Sequence, residues 1–120
     1  MARVLLVEDE YLIAISAEGI LEDAGHDVVH AVDGRQALNL LTDMNPDLVV
    51  TDYVMPRLDG AGLIAAIRGD ERLRDLRIVL MTAVPVDKIA AMNLPIDAFL
   101  QKPFTNEELE QVVARVLGEG

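Results

Sequence analysis

Leu48-Val49-Val50-Thr51-Asp52 decides how this chain is read. It is a short, valine-rich apolar run that stops at a carboxylate, with Pro46 and Asp47 before it and Pro56 just beyond. A run of that length between turn residues reads as a strand buried on both faces. Strands of that kind belong to parallel sheets covered by helices. Open parallel sheets bind ligands outside the carboxyl ends of their strands. Asp52 stands at such an end, either as a site residue or as a plain cap of the following turn.

Working outward, the same grammar repeats. Arg3 to Val7 is a second buried-strand run and ends at Glu8-Asp9-Glu10. Tyr11 to Ala24 has helical periodicity, with Ile13, Ala17, Ile20, Leu21 and Ala24 on one face and Gly25 as the stop. Asp27 to Ala31 is a short strand. Asp33 and Gly34 open a helix through about Asp43, with Ala37, Leu38 and Leu41 facing inward. Tyr53 to Gly60 is a loop, and Asp59 is the N-cap of a helix through about Gly69 that buries Leu63, Ile64 and Ile67. Arg77 to Thr82 is the fourth strand. Val86 to Asn93 is a short, weak helix after Pro85, closed by Leu94-Pro95. Ala98 to Gln101 is the fifth strand, and Thr105 to about Leu117 the last helix. Thr105 and Glu108 form its capping box, and Leu109, Val112, Val113 and Val116 its buried stripe. Five strands alternating with five helices imply an α/β domain with right-handed crossovers.

Composition narrows the function. The chain has 120 residues, enough for one domain with a full core, and 52% of them are hydrophobic, which excludes disorder. No apolar run approaches the roughly 18 residues of a membrane span. Met1-Ala2-Arg3 leads straight into a strand, so no signal peptide is expected. Cysteines are absent, so disulfides and thiolate metal sites are excluded. These features fit the cytoplasm. The formal net charge of −11 repels phosphate backbones, so neither nucleic acid nor a membrane is expected as a partner.

The strand ends carry the chemistry. They deliver Glu8 and Asp9, then Asp52, then Thr82, then Lys102 to one edge of the sheet. Three close carboxylates either rise in pKa or recruit a cation. A few oxygens beside water suit Mg²⁺. A cation beside a carboxylate, with an ammonium and a hydroxyl opposite, suits a phosphoryl group that the carboxylate attacks. His26 and His30 have no partner spacing for a metal or a phosphohistidine and read as surface or strand residues.

In these residues the chain resembles the receiver domain of two-component response regulators. The carriers are Glu8-Asp9, Asp52, Met55-Pro56, Asp59-Gly60, Thr82-Ala83, Phe99 and Lys102-Pro103-Phe104, in order over essentially the whole chain. The resemblance implies a flavodoxin-like, doubly wound five-stranded parallel sheet of order 2-1-3-4-5 with five helices. It implies Asp52 as phosphoacceptor, and Mg²⁺ held by Asp9, Asp52 and the Val54 carbonyl, with Glu8 acting through water. Lys102, the Thr82 hydroxyl and the N–H groups of Val54 and Ala83 would contact the phosphoryl oxygens. The Lys102-Pro103 bond would be cis, and Thr82 and Phe99 would form the switch. Leu12 and Ile15, off the buried stripe of the first helix, are candidates for docking the donor. The donor would be a histidine kinase or histidine phosphotransfer protein, and the downstream target is an unidentified protein.

Residues 1–120 are thus expected to be one receiver domain without an effector domain, since only Gly118 to Gly120 follow the last helix. It would be a signalling switch with slow self-directed chemistry rather than an enzyme with a turnover substrate. Two alternatives are a phosphorylation-independent interaction module and a receiver cut from a larger transcription factor. A phosphatase of the haloacid dehalogenase kind would need an aspartate where Val54 stands, and a flavin-binding relative would need a hydroxyl-rich loop after the first strand. The stretch from Thr82 to Lys102 is slightly short for the family and reads Asp97-Ala98 where Gly-Ala is common. That leaves the length and order of the fourth helix open.

Overall fold

A computed structural model describes residues 2–118. Glu119 and Gly120, part of the expected tail, lie outside the described residues, as does Met1. The elements run β1 (Arg3–Val7), α1 (Tyr11–Asp23), β2 (Asp27–Ala31), α2 (Gly34–Leu41), β3 (Leu48–Asp52), α3 (Gly60–Arg68), β4 (Arg77–Thr82), α4 (Val86–Ala91), β5 (Ala98–Gln101) and α5 (Asn106–Leu117). The five strands form one parallel sheet of order β2-β1-β3-β4-β5, as expected.

Both faces of the sheet are covered, which is why its strands read as continuous apolar runs. Alternate residues serve opposite layers. Val4, Leu6, Leu48, Val50, Val79 and Met81 pack with Ala17, Ile20 and Leu21 of α1 and Leu109, Val112 and Val113 of α5. Leu5, Val7, Val49, Ile78 and Leu80 pack with Ala37 and Leu41 of α2, Leu63, Ile64 and Ile67 of α3, and Ile89 of α4. Each fully buried Leu or Ile contributes about 1.5–3 kcal/mol of transfer free energy. The strands that carry the candidate site are therefore anchored by core packing on both faces.

Local signals set most helix starts. Asp59 accepts the Gly62 N–H at 2.9 Å, and Thr105 and Glu108 complete the capping box of α5. Asp33 accepts the Gln36 N–H at 2.8 Å and caps α2. The ends differ more. α2 stops at Leu41, where Thr42, Asp43 and Met44 turn back onto Asn39 and Leu40. α4 is only six residues long, because Asn93 takes a left-handed φ of 50° just ahead of Leu94-Pro95. In α1, Ala14 is buried and Ala24 is exposed, so the stripe is displaced at both ends from the expected one. His26 is buried just before β2 and accepts the Ala2 N–H on Nδ1 at 3.1 Å, so it is neither a surface nor a strand residue.

One long side chain braces the far edge. Arg68 Nε donates to the Pro95 carbonyl at 2.9 Å, and its guanidinium also reaches the Arg74 and Leu76 carbonyls and Asp97. Asp97 in turn accepts the Ile78 N–H at 2.7 Å, tying the approach to β5 onto the start of β4.

The cap of α2 gives a pH prediction. The Gln36 N–H, helped by the Arg57 guanidinium and opposed by burial, holds the Asp33 carboxyl below its ordinary value of 3.8. A depressed folded pKa stabilises the fold above the ordinary value, and that stability is lost as pH falls through the folded value. Asp33→Asn therefore melts below the wild type at neutral pH. Melting curves taken into acid bring the two proteins together as the wild-type carboxyl protonates.

Candidate functional site

The parallel register sets Glu8 just past Val7, which pairs with Thr51, while Asp52 pairs with Met81 and Thr82 with Gln101. Lys102 follows β5 directly. These residues meet above one sheet edge, as their positions in the sequence led us to expect. Lys102 Nζ donates to Glu8 Oε1 at 2.8 Å and to Asp52 Oδ2 at 2.9 Å. The other Asp52 oxygen accepts the Tyr53 N–H at 2.7 Å, and Glu8 Oε2 accepts the Glu10 N–H at 3.1 Å. The carboxylates are thus aimed by main chain and ammonium together. The Lys102-Pro103 peptide is cis.

The electrostatics follow from burial. Burial pushes the Glu8 carboxyl above its ordinary value, outweighing the hydrogen bonds from Lys102 and the Glu10 N–H. Burial opposes the charge of Lys102, yet its bonds to Glu8 and Asp52 win and hold its pKa above the ordinary value. Lys102 is therefore charged at neutral pH and partly neutralises the site.

Glu8, Asp9 and Asp52 each bring a carboxylate oxygen within 4.8 Å of the others. Asp9 is exposed and Glu8 and Asp52 are buried, so the cluster opens to solvent on one side. A hard, all-oxygen donor set with water access fits Mg²⁺ rather than a softer transition metal. Asp9, Asp52, Val54, Thr82, Ala83 and Lys102 line a shared cleft of about 340 Å³. Thr82 is buried, and its hydroxyl oxygen accepts the Val84 N–H at 2.9 Å. An accepting hydroxyl still has one proton to give.

The outlying candidates are placed less uniformly. Phe99 is half-buried on the face of β5 that packs with α4. Leu12, 79% exposed, lines a second cleft of about 390 Å³ with Ile13, Ser16, Pro103 and Phe104, beside Lys102. Ile15 is exposed on the same helix but does not line that cleft. Sequence reasoning passed over Tyr11, 72% exposed at the start of α1. His30 is a strand residue of β2, as expected, but sequence reasoning missed the approach of its Nε2 to 2.8 Å from the Glu8 carbonyl oxygen and the pairing of Arg57 with Asp33. Such long-range polar pairs leave no periodic signal.

Comparison with known proteins agrees with this fold. The profile of the response regulator receiver domain matches residues 4–114. A probable transcriptional regulator, ycf27, of Guillardia theta is 40% identical over 117 residues, covering 96% of this chain and 45% of that protein. This chain spans about half the length of most of the curated relatives it matches. Among solved structures, the chemotaxis response regulator CheY4 of Vibrio cholerae superposes with a TM-score of 0.89 at 31% identity, covering 97% of this chain and 98% of that one. The receiver domain of the sensor histidine kinase PA1611 from Pseudomonas aeruginosa, solved with magnesium in its active-site cleft, gives a TM-score of 0.88 at 29% identity and covers 98% of each chain.

Proposed function

This chain belongs to the response regulator receiver family, and on that premise we propose that Asp52 accepts a phosphoryl group from a phosphohistidine donor in a two-component phosphorelay. The observation that carries the reading is the Lys102 ammonium held 2.8 and 2.9 Å from Glu8 and Asp52 beside Asp9 and Thr82. Two buried carboxylates and an exposed third around one ammonium are costly to build for stability alone.

In the transfer, an Asp52 carboxylate oxygen attacks phosphorus as the bond from phosphorus to the donor imidazole breaks. The electron pair of that bond leaves with the imidazole nitrogen. The Tyr53 N–H fixes the carboxylate's orientation, so little is lost in aligning it. Lys102 neutralises an equatorial oxygen, and the N–H groups of Val54 and Ala83 donate to others. Asp9, Asp52 and the Val54 carbonyl, with Glu8 through water, would hold Mg²⁺, which would supply further positive charge to the phosphoryl group. Attack by water later returns the carboxylate and inorganic phosphate, so the chemistry is self-directed and slow.

Phosphorylation shifts a two-state equilibrium. Thr82 swings its hydroxyl to the phosphoryl group, Phe99 turns inward, and the surface of α4, β5 and α5 changes partner. Leu12, Ile15 and the cleft at Phe104 receive the donor, a histidine kinase or phosphotransfer protein. The acidic charge keeps this domain itself off nucleic acid. A second reading, favoured by the match to half of a transcriptional regulator, makes the chain the receiver of a longer regulator whose other part meets DNA.

Incubation with acetyl phosphate and Mg²⁺, followed by intact mass, tests the reading. The wild type gains one phosphoryl group, and Asp52→Asn or a chelator abolishes the gain. Uptake that survives Asp52→Asn contradicts the assignment.

A further inference from the structure

The loop after Asp52, residues 53–59, is held from outside as well as by its own ends. Arg57 has a φ of 67°. Glycine or asparagine enters that left-handed region readily, and arginine does so only under constraint. The turn by itself does not call for arginine. Its side chain does: Arg57 Nη1 donates to Asp33 Oδ2 at 2.6 Å, where the Asp33 side chain is only 5% exposed although that of Arg57 is 67% exposed. The second Asp33 oxygen caps α2 through the Gln36 N–H.

The neighbouring residues make the same joint with main chain. The Gly34 N–H donates to the Leu58 carbonyl at 3.2 Å. A Cβ at Gly34 would run into that carbonyl, so α2 and the loop meet with no spare room. On its other side the loop is closed by the Gly60 N–H, which donates to the Tyr53 carbonyl at 2.8 Å. Between these two fixings lies Val54, which lines the cleft together with Asp9 and Asp52.

We infer that Arg57 and Asp33 form a latch that positions the Val54 peptide in the cleft, making Arg57 a positioning residue for cation binding and phosphoryl transfer. The inference rests on the proposed function for its second half only. Groups bonded directly to a metal's ligands change its affinity by about 10–100-fold when removed, and the latch, acting through the loop backbone, is expected at the low end of that range. α2 thereby becomes part of the site's frame although none of its side chains reaches the carboxylates.

The test compares the wild type with Arg57→Gly, Arg57→Lys and Asp33→Asn in three measurements. These are Mg²⁺ titration followed by tyrosine fluorescence, the initial rate of acetyl phosphate uptake, and thermal melting. Arg57→Gly relieves the left-handed backbone but gives up the pair with Asp33, so its melting temperature stays close to that of the wild type. Its half-saturating Mg²⁺ concentration nevertheless rises about 10-fold or more, and uptake at limiting Mg²⁺ slows in proportion. Arg57→Lys recovers part of both, and Asp33→Asn weakens Mg²⁺ binding as Arg57→Gly does. An unchanged titration in Arg57→Gly overturns the latch, and so does weakened binding in Arg57→Gly that merely tracks a lower melting temperature of that variant. If the wild type binds Mg²⁺ but takes up no phosphoryl group, the functional reading fails while the titration still decides the latch.

Discussion

Lys102→Met takes up phosphoryl groups from acetyl phosphate about 10²–10³-fold more slowly than the wild type, the range set by removing one preorganised electrostatic group. The same variant unfolds at lower urea concentration. Both effects have one cause. Lys102 Nζ is bonded to Glu8 at 2.8 Å and to Asp52 at 2.9 Å. The Glu8 side chain is fully buried, and those of Lys102 and Asp52 are 15% and 11% exposed. Removing one partner of a buried pair costs about 3–5 kcal/mol, and residual solvent access places this case toward the low end. The Lys102 N–H still bonds the Thr82 carbonyl at 2.7 Å, so the β5–α5 connection keeps its place. Lys102→Arg keeps the charge but not the compact ammonium, and falls between the two. A Lys102→Met rate within twofold of the wild type would show that the ammonium does not act on the transferring group.

Gly60→Ala damages stability and uptake together. A Cβ at Gly60 would stand 2.6 Å from the Asp52 carbonyl oxygen and 2.7 Å from Tyr53 Cα. Both are backbone atoms at the end of a central strand, and neither can rotate away. Overpacking of this sort costs about 1–3 kcal/mol. Here the displaced atoms belong to the acceptor itself, so uptake falls even where the variant remains folded. Gly62→Ala is the control in the same helix, because its Cβ meets Leu58 Cδ1, the far end of a flexible side chain. Gly19→Ala meets nothing within 4 Å in the middle of α1, and gains about 0.5–1 kcal/mol from a stiffer unfolded chain. Urea titrations of the three variants separate the cases. A Gly60→Ala protein with wild-type stability and uptake would show that the end of β3 is more yielding than its packing implies.

The strands were legible to the residue, because a parallel sheet buried on both faces leaves unbroken apolar runs that stop at charges or turn residues. Asp52, Glu8, Asp9, Thr82 and Lys102 could be gathered for the same reason: strand order and direction alone put their strand ends on one edge. Helix ends were less legible. The stop of α4 depends on Asn93 adopting a left-handed backbone, and the stripe of α1 on whether Ala14 or Ala24 faces the sheet, which periodicity alone leaves open. The polar braces were not legible at all. Arg68 finds its acceptors at Pro95 and Asp97, and Arg57 finds Asp33 24 residues away, and no local pattern announces either. The burial of His26 is of the same kind, since its partner is the Ala2 main chain.

The central claim is that Asp52, among three clustered carboxylates, is the one phosphorylated. Borohydride reduction of the acetyl phosphate-treated protein converts an aspartyl phosphate to homoserine, and peptide mass spectrometry locates it. The account predicts homoserine at position 52 and unmodified Glu8 and Asp9. Reduction product at Asp9 or Glu8, or a phosphoryl group that resists borohydride altogether, would contradict it.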